Sequence, residues 1–146
     1  MIYLVHHADA VGADVDPQRP LSPAGRAHAE RLAQEAAARG VKPNVIWHSG
    51  KLRARQTAEP FLRMCNPLAQ FAAIRGLQPD DPPEWIKDVV TDETRDVMLV
   101  GHMPNLPRVL TLLLKGNSAT LDFPQHGLVA LNHAQGKWEE RWRLTI

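Results

Sequence analysis

Only one cysteine, Cys65, occurs in the 146 residues, so no internal disulfide can form. That usage suits a reducing compartment. There is no excess of either charge: 17 Lys and Arg face 16 Asp and Glu, for a formal net charge of +1. Such a balance gives no electrostatic ground for binding nucleic acid or an acidic membrane. No apolar run approaches the roughly 20 residues that span a bilayer. The first residues lack the basic segment and long apolar stretch of a signal peptide. The expectation is one domain over residues 1–146, a monomer, in the cytoplasm.

What is present is an alternation of short apolar runs and helical stretches. Ile2 to Val5 is a continuous apolar run of the kind that buried parallel strands carry. A loop rich in Gly, Asp and Pro follows, to Leu21. Ser22 then reads as an N-cap and Pro23 as the first helical residue. That helix is expected to run to about Arg39, with Gly40 ending it. Val45 to Trp47 reads as a second strand. Leu52 to about Met64 reads as a helix in which Pro60 is a kink or a stop. Phe71 to Ile74 is a short strand, Glu84 to Val90 a short helix, Val97 to Val100 a strand, and Pro104 to Leu114 a leucine-rich helix. Leu128 to Leu131 and Trp138 to Leu144 form a hairpin turning near Gln135 and Gly136. By period two, Trp138, Trp142 and Leu144 share one face. The fold class is α/β: a three-layer sandwich with a mostly parallel central sheet and an antiparallel C-terminal edge hairpin.

Three strand ends carry the chemistry. The first ends in His6 and His7. The second delivers Ser49, then Lys51 and Arg53 at a helix start. The strand ending at Val100 delivers His102. Ligands of open α/β sheets bind outside the carboxyl ends of the parallel strands, so these residues are expected in one pocket. Imidazoles, an arginine and a helix N-terminus together suit a phosphoryl group. A neutral imidazole can attack phosphorus, and nearby donors can stabilise its oxygens. No metal is required. Three histidines are also a potential zinc set, although adjacent His6 and His7 point in divergent directions.

These blocks resemble the histidine phosphatase superfamily. Its strand-end Arg-His-Gly/Ala is matched here by His6-His7-Ala8. Its Ser-x-x-x-Arg-Ala-x-Gln-Thr-x-Glu is matched by Ser49 to Glu59, and its Val-Gly-His-x-Pro-x-Leu by Val100 to Leu106. Arg19-Pro20-Leu21-Ser22-Pro23-Ala24-Gly25 is similar to a block of the small SixA-like phosphohistidine phosphatases. The resemblance implies a phosphoglycerate mutase-like fold. It also implies a covalent phosphate on His7, with Arg53 and His102 completing the catalytic set and binding its oxygens. It implies no cofactor. The expected partner is a phosphorylated protein such as a histidine phosphotransfer domain. Arg19, Ser49, Lys51 and His126 are expected at the pocket rim.

His6 departs from the pattern, because it stands where the family has a phosphate-gripping arginine. Two readings stay open. A protonated His6 partly replaces that arginine, or the chain is a pseudophosphatase that binds phosphorylated partners without efficient turnover. Asp80, Asp81 and Glu84 are the candidate general acids, and no feature selects among them. His48 is either a packing residue or a rim residue.

Overall fold

A computed structural model describes residues 1–115 and 120–146. Among the described residues, six strands lie in one sheet, β1 (Ile2–His6), β2 (Val45–His48), β3 (Gln70–Ala73), β4 (Val97–Gly101), β5 (Leu128–Ala134) and β6 (Lys137–Leu144). Their spatial order is β3-β2-β4-β1-β5-β6. The first four are parallel; β5 runs antiparallel to β1, and β6 to β5. Four helices cover the sheet: α1 (Pro23–Ala38), α2 (Leu52–Cys65), α3 (Pro83–Thr91) and α4 (Asn105–Lys115).

Strand alternation divides the core into two layers. Tyr3, Val5, Ile46, Met98 and Val100 pack against Leu32 and Ala36 of α1 and Ala58 and Phe61 of α2. Ile2, Leu4, Val45, Val97 and Leu99 pack against Ile86 of α3 and Leu106, Val109 and Leu110 of α4. The crossovers explain this division. The chain steps outward from β1 to β2 to β3, which puts α1 and α2 on one side. It reverses to reach β4, which puts α3 on the other. The chain thus leaves neighbouring strands β1 and β4 toward opposite layers. The crevice opens at that switch point.

Local signals set the ends of α1. Ser22 Oγ accepts the Gly25 N–H at 3.0 Å, Pro23 occupies the first turn, and Gly40 follows with φ of 82°. Gly25 is required for close approach: a Cβ there would lie 2.0 Å from the carbonyl oxygen of Asp9. The helix start is thereby docked on the loop that follows β1.

Of the two readings of Pro60, a stop is excluded, because α2 continues to Cys65, close to the expected end at Met64. Pro60 is buried within the helix and lacks one helical hydrogen bond. One expectation is corrected. Trp138 does not share a face with Trp142 and Leu144. Ala130 pairs with Trp142 while Leu131 pairs with Glu140, so Arg141 is an extra, bulged residue. The bulge reverses the alternation. Trp142 and Leu144 join the α1/α2 layer, and Trp138 joins the α3/α4 layer.

Candidate active site

Adjacent strands bring two histidines together. His6 is in register with Gly101, and the next residue N–H, that of His7, donates to the Gly101 carbonyl at 3.1 Å. The rings of His7 and His102 lie 4.9 Å apart, centroid to centroid. From β2, Ser49 reaches His102, with Oγ 2.7 Å from Nε2. From the first turn of α2, Arg53 adds a guanidinium. The expected nucleophile, its partner histidine and the arginine thus meet at the switch point.

Hydrogen bonds assign the protons. His7 Nδ1 lies 2.7 Å from the Ala8 carbonyl, which only accepts, so Nδ1 carries the hydrogen. Its Nε2 is then a lone pair. Ser49 Oγ accepts the Lys51 N–H at 3.2 Å. Among the described residues, the sole acceptor for the serine proton is His102 Nε2. The proton of neutral His102 therefore sits on Nδ1, which is buried without a hydrogen-bond partner. Arg53 Nε is likewise buried without a partner. Among the described residues, no carboxylate pairs with Arg53. Two unpaired donors beside a free imidazole lone pair form an anion-receptive, nucleophilic centre.

Burial keeps the histidines neutral. It pushes His7 from the ordinary 6.5 down to about 4, helped by Arg53, His126 and Arg19 and opposed by the Ala8 carbonyl. Burial and then His7, Arg53 and Lys51 lower His102 to about 3. His6 also falls to about 3, through burial and the charges of His7, His126 and Arg53. Burial and Arg19 together lower Arg53 from its ordinary value. A neutral His7 is the form that can attack phosphorus.

His6 supplies no charge here. Its Nδ1 accepts the backbone N–H of His126 at 2.8 Å, so its one proton is on Nε2. That geometry disfavours the protonated His6 expected to stand in for arginine.

The residues expected at the rim divide. Arg19 lies close enough to influence His7 and Arg53, and its Nε donates to the Val11 carbonyl at 3.0 Å. Lys51 is the N-cap of α2 and acts on His102 through its charge. Ser49 is inside the cluster rather than on its rim, whereas half-buried His126 borders it. Ser49 is buried against His102, and His126 lies parallel to His6 with centroids 4.9 Å apart. His48 is a packing residue. Its Nδ1 accepts the Gly50 N–H and its ring meets Phe71.

None of Asp80, Asp81 and Glu84 hydrogen-bonds to a site side chain. The Asp81 carboxylate instead accepts the Gly76 and Gln78 N–H groups, both at 3.0 Å. Two positioning residues emerge only from the structure. Thr57 Oγ1 accepts the Ala8 N–H at 3.0 Å and donates to the Arg53 carbonyl, tying the loop after β1 to α2. Gln78 Nε2 donates to the Ser49 carbonyl at 2.7 Å. Thr57 lies in the Arg-Ala-x-Gln-Thr block; Gln78 lies in a loop with no local signal. Among the described residues, no three histidine, cysteine or carboxylate side chains converge as metal ligands. No helix among them is long and apolar enough to cross a membrane.

Comparison with known proteins bears on the family and the fold. Residues 2–78 match the histidine phosphatase superfamily (branch 1). No curated protein matches the sequence. Among solved structures, the protein histidine phosphatase SixA complexed with tungstate is 20% identical, with a TM-score of 0.86 over 99% of this chain and 96% of that one. A SixA protein from Agrobacterium tumefaciens is 29% identical, with a TM-score of 0.82 over 99% and 97%. The phosphoserine phosphatase of Entamoeba histolytica is 13% identical, with a TM-score of 0.73 over 97% and 95%.

Proposed function

The chain belongs to the histidine phosphatase superfamily, and from that premise we propose that it hydrolyses phosphohistidine on a protein through a covalent phosphate on His7. The observation that carries this reading is the arrangement of His7. Its Nδ1–H is held by the Ala8 carbonyl, and its Nε2 lone pair stands beside the two unpaired donors of Arg53 and His102.

In the first step His7 Nε2 bonds to phosphorus, and the bond from phosphorus to the substrate imidazole breaks. The leaving ring takes that electron pair and departs neutral when its other nitrogen is protonated. No general acid is then needed, which fits the absence of a carboxylate bonded to the site among the described residues. The positive charge that His7 gains is stabilised by the Ala8 carbonyl. Arg53 and His102 Nδ1–H donate to the phosphoryl oxygens as charge shifts onto them. In the second step water attacks phosphorus, the bond to His7 breaks, and inorganic phosphate leaves.

The partner on this reading is a phosphorylated protein such as a histidine phosphotransfer domain, met by a monomer in the cytoplasm. That a similar structure, the protein histidine phosphatase SixA, was obtained complexed with tungstate, a phosphate-like oxyanion, supports a phosphoryl ligand. The test is release of phosphate from a phosphohistidine protein, compared with a phosphoserine peptide. Faster release from phosphohistidine is expected; equal or slower release overturns the substrate assignment.

A second reading rests on His6, which is locked neutral and adds no positive charge. On that reading the site binds phosphorylated partners without turnover. Tungstate binding by a protein that releases no phosphate from any phosphohistidine substrate selects it.

A further inference from the structure

We propose that His126 is a positioning residue for phosphoryl transfer, fixing which nitrogen of His6 bears a proton and where the backbone of His7 sits. This rests on the reading of His7 as nucleophile.

His126 makes three contacts with the strand end, across about 120 positions of sequence. Its backbone N–H donates to His6 Nδ1 at 2.8 Å. Its own Nδ1 lies 2.7 Å from the His7 carbonyl, which can only accept, so that Nδ1 is protonated. Its ring lies parallel to that of His6, at 4.9 Å and 4°. One residue therefore holds the side chain of His6 and the main chain of His7 together.

The turn that carries His126 is itself clamped. Gly127 N–H donates to the Pro124 carbonyl, and the Gly127 carbonyl accepts the His6 N–H at 3.0 Å. A Cβ at Gly127 would lie 2.7 Å from Pro124 Cβ and 2.8 Å from the Leu144 carbonyl oxygen. His126 has φ of 55°, in the left-handed region. A non-glycine residue persists there when its surroundings over-determine it. The contacts to His6 and His7 are such surroundings.

The consequence is a division of labour between neighbouring imidazoles. His6 keeps a proton on Nε2, and His7 keeps a lone pair on Nε2. Neither Nε2 has a hydrogen-bond partner among the described residues. The groups whose charges act on His6 are His7 of the same strand end, His126 before β5 and Arg53 of α2, and His6 in turn acts on His102 after β4. None is a carboxylate. His6 thus offers the phosphoryl group an uncharged donor.

The test uses two variants of the full chain. His126→Gly keeps the backbone N–H and suits the left-handed backbone, but loses ring and donor. His126→Asn also tolerates that backbone and returns an amide N–H toward the His7 carbonyl. Rates of phospho-His7 formation, thermal midpoints and nitrogen-15 spectra of the imidazoles are measured. His126→Gly is expected to slow phospho-His7 formation roughly tenfold or more with little change in thermal midpoint. His126→Asn should restore most of the rate. In the wild type, His6 should show its proton on Nε2 and no titration from about pH 5 to about pH 8. His126→Gly keeps the backbone N–H, so there the Nε2 proton of His6 should persist while the rate falls. A wild-type rate in His126→Gly, or a proton on His6 Nδ1 in the wild type, overturns the inference. If the wild type forms no phospho-His7 at all, the nucleophile reading fails separately, and the imidazole spectra still decide the role of His126.

Discussion

The hydroxyl of Ser49 and the imidazole of His102 are joined at 2.7 Å, and this bond decides where His102 keeps its proton. Among the described residues His102 Nε2 is the sole acceptor within reach of the Ser49 hydroxyl, so the hydroxyl is assigned as the donor. The Nδ1–H of His102 is thereby left for another acceptor. A serine at the end of β2 thus prepares a donor at the end of β4.

Ser49→Ala removes that hydroxyl and leaves the buried Nε2 without its partner. The loss of such a bond costs about 1–3 kcal/mol, so kcat/KM should fall roughly 5-fold to 100-fold. Ser49→Thr keeps the hydroxyl and should retain most of the activity. Steady-state kinetics on both variants check this; equal kcat/KM for wild type and Ser49→Ala contradicts the assignment.

Acid should destabilise the fold through the buried histidines. His6, His7 and His102 titrate in the fold at about 3, about 4 and about 3. In the unfolded chain each titrates near ~6.5. Below that pH the unfolded chain binds protons that the fold excludes. Stability is therefore full above about pH 6.5 and falls as pH drops toward about 4 for His7 and about 3 for His6 and His102, by up to about 1.4 kcal/mol per pH unit for each. Thermal midpoints across this range test the slope, and His6→Gln should make it shallower. An identical slope in His6→Gln contradicts a buried, neutral His6.

Gly25→Ala should damage both stability and activity. The new Cβ meets the carbonyl oxygen and carbon of Asp9, at 2.0 and 2.9 Å, and these are backbone atoms. The start of α1 must retreat from the loop that follows His7. Overpacking of this kind costs about 1–3 kcal/mol or more, so the thermal midpoint should fall by roughly 5–10 °C. Calorimetry measures it; an unchanged midpoint means the helix start is not docked as described.

Much of this molecule is legible from local chemistry. Apolar runs at Ile2, Val45 and Val97 mark the parallel strands, and Ser22, Pro23 and Gly40 mark α1. Histidines at or just past the ends of the Ile2 and Val97 runs mark the candidate site. What escapes is set by pairing across distance. The bulge at Arg141 exists only because six residues of β5, Leu128 to His133, face seven of β6, Trp138 to Leu144, so no pattern within β6 reveals that Trp138 changes face. Ser49 and His126 read as rim residues because their roles depend on bonds spanning 53 and about 120 positions. Gln78 sits in an irregular loop, and only the fold brings it to the Ser49 carbonyl. His6 shows the same limit: its neutrality follows from a backbone N–H of the turn before β5.

The most direct test of the account is to trap the intermediate. The protein is mixed with phosphohistidine-labelled substrate, quenched in base within the first turnover, and mapped by mass spectrometry. The account predicts a transient, acid-labile phosphate on His7 in the wild type and none in His7→Ala, which should also release no phosphate. Turnover without label on His7, or undiminished phosphate release by His7→Ala, contradicts it.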